Sequence, residues 1–143
     1  MTSSNRSLAW PIALTFLIIM GWMPFEGLLT LVVSVGVMLT AIWTVVVVNR
    51  YEESIDRYFQ GMIGTLIVWT FAGGVAGLLT PLTVIALMIF KTGIHAHGPE
   101  FTRLETWWVM NQFFDWGWQG LLIGLGFGLL KSAFERTVGD YVN

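Results

Sequence analysis

Both histidines of the chain lie in one short stretch, His95-Ala-His97-Gly-Pro-Glu100. Two imidazoles and a carboxylate form a set of three ligands suited to zinc or another divalent cation, and the nearby glycines would let the loop wrap the ion. An H-x-H spacing is nevertheless common by chance, and the sequence offers no evident fourth ligand or cooperating general base. The favoured interpretation is a polar helix cap and loop, and a metal site at His95, His97 and Glu100 is the alternative.

His95 or His97 is also a candidate axial ligand for a chlorophyll-type pigment or a haem. A histidine near a membrane surface with tryptophans close by is what a single bond to a chlorin magnesium requires. A haem held by two histidines across a bilayer is excluded, because both side chains would lie at the same depth. We expect no bound cofactor, and a pigment or a divalent metal at His95 and His97 is the alternative.

Other catalytic arrangements are missing from the sequence. With no cysteine, the chain can form neither a disulfide, nor a thiolate metal site, nor a cysteine nucleophile. It has no serine–histidine–acid set with sensible spacing and no phosphate-binding loop. We therefore expect no catalytic residues and no enzymatic activity.

The composition places these residues in a membrane. Of the 143 residues, 55% are hydrophobic and 11% are charged, against about 25% charged in an ordinary soluble domain. A soluble chain of this length could not bury that much apolar surface, whereas a bilayer solvates it. Because a backbone in hydrocarbon must satisfy its own hydrogen bonds, the predicted fold is a single all-α integral membrane domain. The net charge of −2 gives no basic field, which argues against nucleic acid as a partner.

Apolar runs predict about four transmembrane helices, at residues 8–22, 28–48, 62–90 and 113–130. The polar and aromatic segments at 49–60 and 101–112 are expected to be helical and to lie at the interface. The first run follows Arg6 like a secretion signal, but no small-x-small cleavage site follows it, so the segment is interpreted as retained. Lysine and arginine counts place the N-terminus in the cytoplasm.

The third run is too long for a simple span. As one helix, residues 62–90 would measure about 43 Å at ~1.5 Å per residue, more than the ~30 Å hydrocarbon core. The helix is therefore expected to be long, tilted and kinked near Pro81, or else broken at Gly73-Gly74 into two re-entrant pieces. We prefer the single span because re-entrant pieces need surrounding protein. The charge counts do not separate the two cases, which leaves the side of the C-terminus open.

Two glycine patterns predict close helix packing. Gly73 and Gly77 lie on one face of the third run, and Gly120, Gly124 and Gly128 lie on one face of the last. Small residues let transmembrane helices approach closely, which is how such helices associate. The pattern leaves open whether the partner helix belongs to the same chain or to another subunit.

An aromatic belt precedes the last run. Its tryptophans are expected to anchor the chain at the membrane interface, with a protein or lipid contact surface as the alternative; they are Trp107, Trp108, Trp116 and Trp118. The Thr102-x-x-Glu105 pattern is typical of a capping box and predicts that a helix begins there.

These features favour a non-catalytic accessory subunit of a larger membrane complex, with respiratory or photosynthetic assemblies as the obvious host class. Its expected partners are other integral membrane subunits and the lipid bilayer. Proton pumps and transporters usually carry ionisable groups inside the membrane, and the first three runs contain none. One alternative is a pigment-, haem- or metal-binding protein that uses His95 or His97. Another is a small transporter or lipid-handling protein with the histidine loop and Glu100 or Arg103 at the mouth of a cavity.

Overall fold

The computed structural model describes residues 6–25, 28–58, 61–94 and 100–142, and within the helices it describes the side chains of 8–22, 29–51, 61–94 and 103–134. Every regular element in these residues is an α-helix, which confirms the predicted all-α class. In chain order the helices are α1 (Arg6–Trp22), α2 (Leu29–Tyr58), α3 (Gly61–Ile94), α4 (Arg103–Asn111) and α5 (Phe113–Val142).

Helix α3 is one continuous helix of 34 residues that passes through Gly73, Gly74 and Pro81. The alternative break at Gly73-Gly74 is not formed. Glycine weakens a helix by less than about 1 kcal/mol relative to alanine, and here both glycines pack against α5, which supports the helix at its weakest point. The stretch predicted at 62–90 is therefore a single element and does not fold back.

Within the described residues, two helices are long and apolar enough to cross a membrane. They are α2, over Leu29–Tyr51, and α3, over its whole length; the apolar part of α1, Leu8–Trp22, is shorter. Helix α2 also continues without interruption to Tyr58, so most of the predicted interfacial segment 49–60 extends that helix. Arginine and glutamate are good helix formers, which explains why the chain stays helical after its apolar part ends.

Helix α4 begins at the predicted capping box. The Thr102 side chain accepts a hydrogen bond from the Glu105 backbone N–H at 3.2 Å, and the Glu105 carboxylate accepts one from the Thr102 N–H at 2.7 Å. Helix α5 starts immediately after Gln112 and extends well past the predicted end at residue 130. The expected interfacial segment at 101–112 is thus a short capped helix joined directly to a long one.

Helix α3 is the centre of the fold and packs against both α5 and α2. Helices α3 and α5 run antiparallel, since Gly77 lies beside Trp116 while Leu66 lies beside Gly128. Helix α1 packs against α2, where the Trp43 indole N–H donates to the Thr15 hydroxyl at 3.1 Å. The buried apolar core joins α2 and α3 to the ends of α1 and α4; it comprises Trp22, Val32, Val35, Leu39, Val84, Leu87, Met88, Phe101 and Val109.

Candidate functional site

A polar centre lies where the end of α3 meets the end of α1 and the segment before α4. Lys91, in the last turn of α3, is fully buried, with an exposed fraction of 0%. Its Nζ lies 3.2 Å from Glu100 Oε2 and 4.9 Å from the centroid of the Trp22 ring. It also donates a hydrogen bond to the Phe25 carbonyl oxygen. We call Lys91, Glu100, Trp22 and the Phe25 carbonyl the polar centre.

The polar centre gives Lys91 the partners that a buried charge needs. An ammonium group removed from water is tolerated when a carboxylate and hydrogen-bond acceptors surround it. An aromatic face and the negative end of a helix dipole add to this stabilisation. Since these partners come from three separate segments, the arrangement holds the ends of α1 and α3 and the start of α4 together.

The structure describes one of the three predicted metal ligands, Glu100. His95 and His97 lie outside the described residues, so a metal, pigment or haem there stays a prediction. Glu100 is described, and its carboxylate forms the ion pair with Lys91. In the described part of the chain no three histidine, aspartate or glutamate side chains come together as a metal site. The Lys91–Glu100 pair joins the two ends of the stretch that carries both histidines.

The predicted packing glycines meet at the crossing of α3 and α5. A Cβ atom built on Gly73 would overlap the carbonyl oxygen of Gly120, and one on Gly124 would overlap that of Trp69. Gly77 faces the Trp116 carbonyl in the same way, whereas a Cβ on Gly128 would come no closer than 3.2 Å, to Leu66 Cα. The predicted glycine faces of α3 and α5 therefore pack against each other within this chain.

An apolar groove of about 280 Å³ runs between α2 and α5, with α3 as its floor. Trp69 and Phe127 stack at 6.1 Å between ring centroids near one end of the groove, and Trp116 lies near the other. We call this feature the α2–α5 groove. Its lining residues include Val33, Val37, Ala41 and Val45 from α2, Trp69, Gly73, Ala76 and Thr80 from α3, and Trp116, Gln119, Ile123 and Phe127 from α5.

Most polar side chains in the α2–α5 groove are already satisfied. The hydroxyls of Thr40, Thr44 and Thr80 each donate to a carbonyl oxygen of their own helix, at 2.7–2.8 Å. Gln119, which also lines the groove, is exposed, and Trp116 is half-buried. The sequence does not predict this groove, because it exists only where three helices meet. One polar residue within a glycine-rich apolar run, Gln119, is the only hint of it in the sequence.

The tryptophans of the aromatic belt are not equivalent. Trp107, Trp108 and Trp118 are exposed, as expected of residues that anchor a chain in an interface. Trp116 is half-buried, packs against the core and meets Trp108 edge-on at 6.4 Å. Anchoring therefore remains the prediction for the three exposed residues, while Trp116 also lines the α2–α5 groove.

The chain matches no protein-family model, no curated protein and no solved structure. Its function must therefore be inferred from its own geometry. The polar centre is arranged to hold segments together, because its cation already has a carboxylate and a carbonyl as partners. The groove and the exposed apolar faces of the helices are arranged to contact something apolar.

Proposed function

We propose that this chain is a multi-pass integral membrane protein that serves as a non-catalytic subunit of a larger membrane complex. The observation that carries the proposal is an apolar stripe along α3, the central helix of the fold. We call it the α3 stripe; its members are all exposed and comprise Ile63, Ile67, Phe71, Val75, Leu79, Leu82 and Ile89.

The spacing of the α3 stripe puts its residues on one face of the helix. Steps of three and four residues return to the same side, and Phe71 is offset by about 200° from Gly73 on the groove side. Ile63, Phe71 and Ile89 are 73%, 71% and 68% exposed. A contiguous apolar surface of this kind marks a membrane or protein contact rather than an aqueous surface.

Contact with a partner helix is favoured over transport or catalysis. Ionisable groups that work inside a membrane usually line a pathway or a cavity. Lys91 is the one fully buried charged side chain in the described residues, and its ammonium group pairs with Glu100 in the polar centre. The packing glycines are committed to the α3–α5 crossing. The α3 stripe is thus the face of the central helix that another subunit's transmembrane helix would cover, with respiratory or photosynthetic assemblies as the first hosts to examine.

The proposal is tested by site-specific photo-cross-linking in native membranes. A photoreactive amino acid replaces Phe71 on the α3 stripe, and a matched variant carries it at Phe134, an equally exposed phenylalanine on α5. We expect Phe71 to yield one discrete adduct with another membrane protein, identified by mass spectrometry, and Phe134 to yield far less of it. Lipid adducts alone at Phe71, together with a lone monomer after mild detergent extraction, would reject the subunit role.

Membrane integration and cofactor content are checked on the same preparation. We expect the chain to stay in the membrane fraction after alkaline carbonate washing; release into the supernatant would contradict integration. The alternative at His95 and His97 predicts an absorbing pigment, a haem or a bound metal that disappears when each histidine is replaced by alanine. Unchanged spectra and metal content in both variants would dispose of that alternative.

A further inference from the structure

We infer that Asp115 pairs, inside the membrane, with a lysine or arginine on a transmembrane helix of a different protein chain. Asn111 and Gln119 lie one helical turn to either side of Asp115, and all three side chains are exposed. We call these three residues the polar row. The inference rests on the subunit role proposed above, and it adds the chemistry of the partner at a second contact surface, on α4 and α5.

The polar row faces away from α3. Asp115 precedes Gly120 by five residues, so its side chain points about 140° away from a glycine that packs on α3. Asp115 is the one charged residue between positions 113 and 130. Apart from Asp115 and Gln119, the exposed residues of this stretch are all apolar; they are Phe114, Trp118, Leu122, Ile123, Leu125, Phe127, Leu129 and Leu130.

The register of α5 on α3 sets the level of Asp115 along the helix axis. Trp116 lies beside Gly77, where its carbonyl oxygen would meet a Cβ atom built on the glycine. Because the two helices are antiparallel, the residue before Trp116 is level with the residue after Gly77. Asp115 therefore lies at the level of Leu78.

The level of Leu78 is deep within the uncharged run of α3. That run extends from Met62 to Phe90, and Leu78 is 16 residues from one end and 12 from the other. At ~1.5 Å per residue these distances are about 24 and 18 Å, and both are shorter than the ~30 Å thickness of a hydrocarbon core. Every such layer that lies within the run therefore contains Asp115.

Helix α2 locates the layer more closely. It packs antiparallel to α3, with Gly36 against Val84. In this register Arg50, the first charge after the apolar part of α2, lies eight residues or about 12 Å from the level of Asp115. Lys91 lies thirteen residues or about 20 Å away on the other side. The two cations are thus about 32 Å apart, which matches a ~30 Å hydrocarbon core with Asp115 near its middle.

An aspartate at this depth requires a cation. A carboxylate in hydrocarbon is unfavourable unless it is paired, and its side chain is too short to reach the headgroups as lysine and arginine do. Among the described side chains no cation is level with Asp115. Lys91 and Arg103 lie about 20 and 18 Å toward one side, and Arg50 and Lys131 lie about 12 and 24 Å toward the other, at ~1.5 Å per residue.

The charge and the depth of Asp115 indicate what covers the polar row. Lipid headgroups carry cations only at the membrane surface, outside the hydrocarbon core. A second copy of this chain in the same orientation carries Asp115 at the same depth and would oppose like charges. A helix of a different protein with lysine or arginine at this depth pairs with the carboxylate, and the amides of Asn111 and Gln119 can donate and accept hydrogen bonds beside it.

The first experiment measures the depth of Asp115 in the purified full-length protein, reconstituted in phospholipid vesicles. The chain has no cysteine, so Asp115→Cys and Arg103→Cys each accept a single nitroxide spin label. We expect the label at position 115 to collide with oxygen, which dissolves in hydrocarbon, and the label at position 103 to collide with a water-soluble nickel chelate. Equal accessibility to nickel at both positions would overturn the placement, and the proposed pair with it.

The second experiment identifies the partner in native membranes. A photoreactive amino acid replaces Gln119 on the polar row, and a matched variant carries it at Leu125, which is exposed about 120° around α5. We expect position 119 to yield an adduct with a transmembrane segment that contains lysine or arginine, and position 125 to yield far less of it. Lipid adducts alone at position 119, an adduct with a second copy, or a partner segment without a basic residue would overturn the pair.

Charge exchange then tests the ion pair itself. Asp115→Asn should lower the amount of partner retained after mild detergent extraction by about tenfold or more, and Asp115→Lys should abolish retention. Replacing the partner's basic residue by glutamate should restore retention of the Asp115→Lys chain. Full retention by Asp115→Asn would overturn the pair.

The outcomes separate this pair from the subunit role. An adduct at Phe71 together with lipid alone at position 119 would reject the ion pair and leave the subunit role standing. A lone monomer with lipid adducts at both positions would reject both.

Discussion

Replacing Gly124 by alanine places a methyl group where α5 crosses α3, against the carbonyl oxygen of Trp69. A carbon atom cannot approach a backbone oxygen that closely, so the two helices would have to separate by roughly 1 Å to restore van der Waals contact. Overpacking of this kind destabilises a protein by about 1–3 kcal/mol. Alanine recovers up to ~1 kcal/mol through its better helix propensity. We therefore expect Gly124→Ala to lower the free energy of unfolding by about 1 kcal/mol.

Gly126 provides the matched control on the same helix. No atom apart from the adjacent backbone of α5 lies within 4 Å of a Cβ built at that position, so Gly126→Ala gains helix propensity without a clash and should stabilise the protein by ~0.5–1 kcal/mol. Gly73→Ala should destabilise like Gly124→Ala. The double variant Gly73→Ala/Gly124→Ala should cost less than the sum of the two, because one separation of the helices relieves both contacts.

The assay is reversible unfolding in mixed detergent micelles, followed by far-UV circular dichroism and by tryptophan fluorescence. Trp69 is one of the eight tryptophans that contribute to the fluorescence, and its stack on Phe127, with ring centroids 6.1 Å apart, spans the same helix pair. If Gly124→Ala and Gly126→Ala unfolded at the same denaturant concentration, the close crossing of α3 and α5 described above would be wrong. Additive effects in the double variant would reject the shared-separation explanation.

Two further predictions concern the polar centre and the start of α4. Lys91→Met should destabilise the protein by about 3 kcal/mol in the same unfolding assay, because it removes the cation that pairs with the Glu100 carboxylate. The double variant Lys91→Met/Glu100→Gln should recover part of that loss. A Lys91→Met protein whose stability lies within about 0.5 kcal/mol of wild type would contradict the ion pair. Thr102→Ala should destabilise α4 by about 1 kcal/mol, seen as faster hydrogen exchange of its amides, whereas Thr65→Ala, which removes an exposed hydroxyl bonded only within α3, should not change it. Unaltered exchange in Thr102→Ala would show that the capping box does not control that helix end.

The sequence predicted the all-α class, because the signals that form helices are local. Apolar runs and the requirement for internal backbone hydrogen bonding determine that the chain is helical. A threonine followed three residues later by a glutamate determines where α4 begins, and both hydrogen bonds of that capping box are present. Spaced glycines predicted close packing of helices at Gly73, Gly77, Gly120 and Gly124, and these are the residues with backbone neighbours in the way of a side chain.

Only the tertiary structure decided which surfaces meet. The glycine spacing is the same whether a helix packs on its own chain or on a partner, and the choice of α5 depends on how the whole chain returns past α3. The burial of Lys91 depends on the Phe25 carbonyl, just after α1, and on Glu100, before α4, which are 66 and 9 residues away in the chain. The α2–α5 groove likewise depends on three helices at once. Local pattern determines which segments are helical, whereas contacts between distant residues determine which faces remain open for a ligand or a partner.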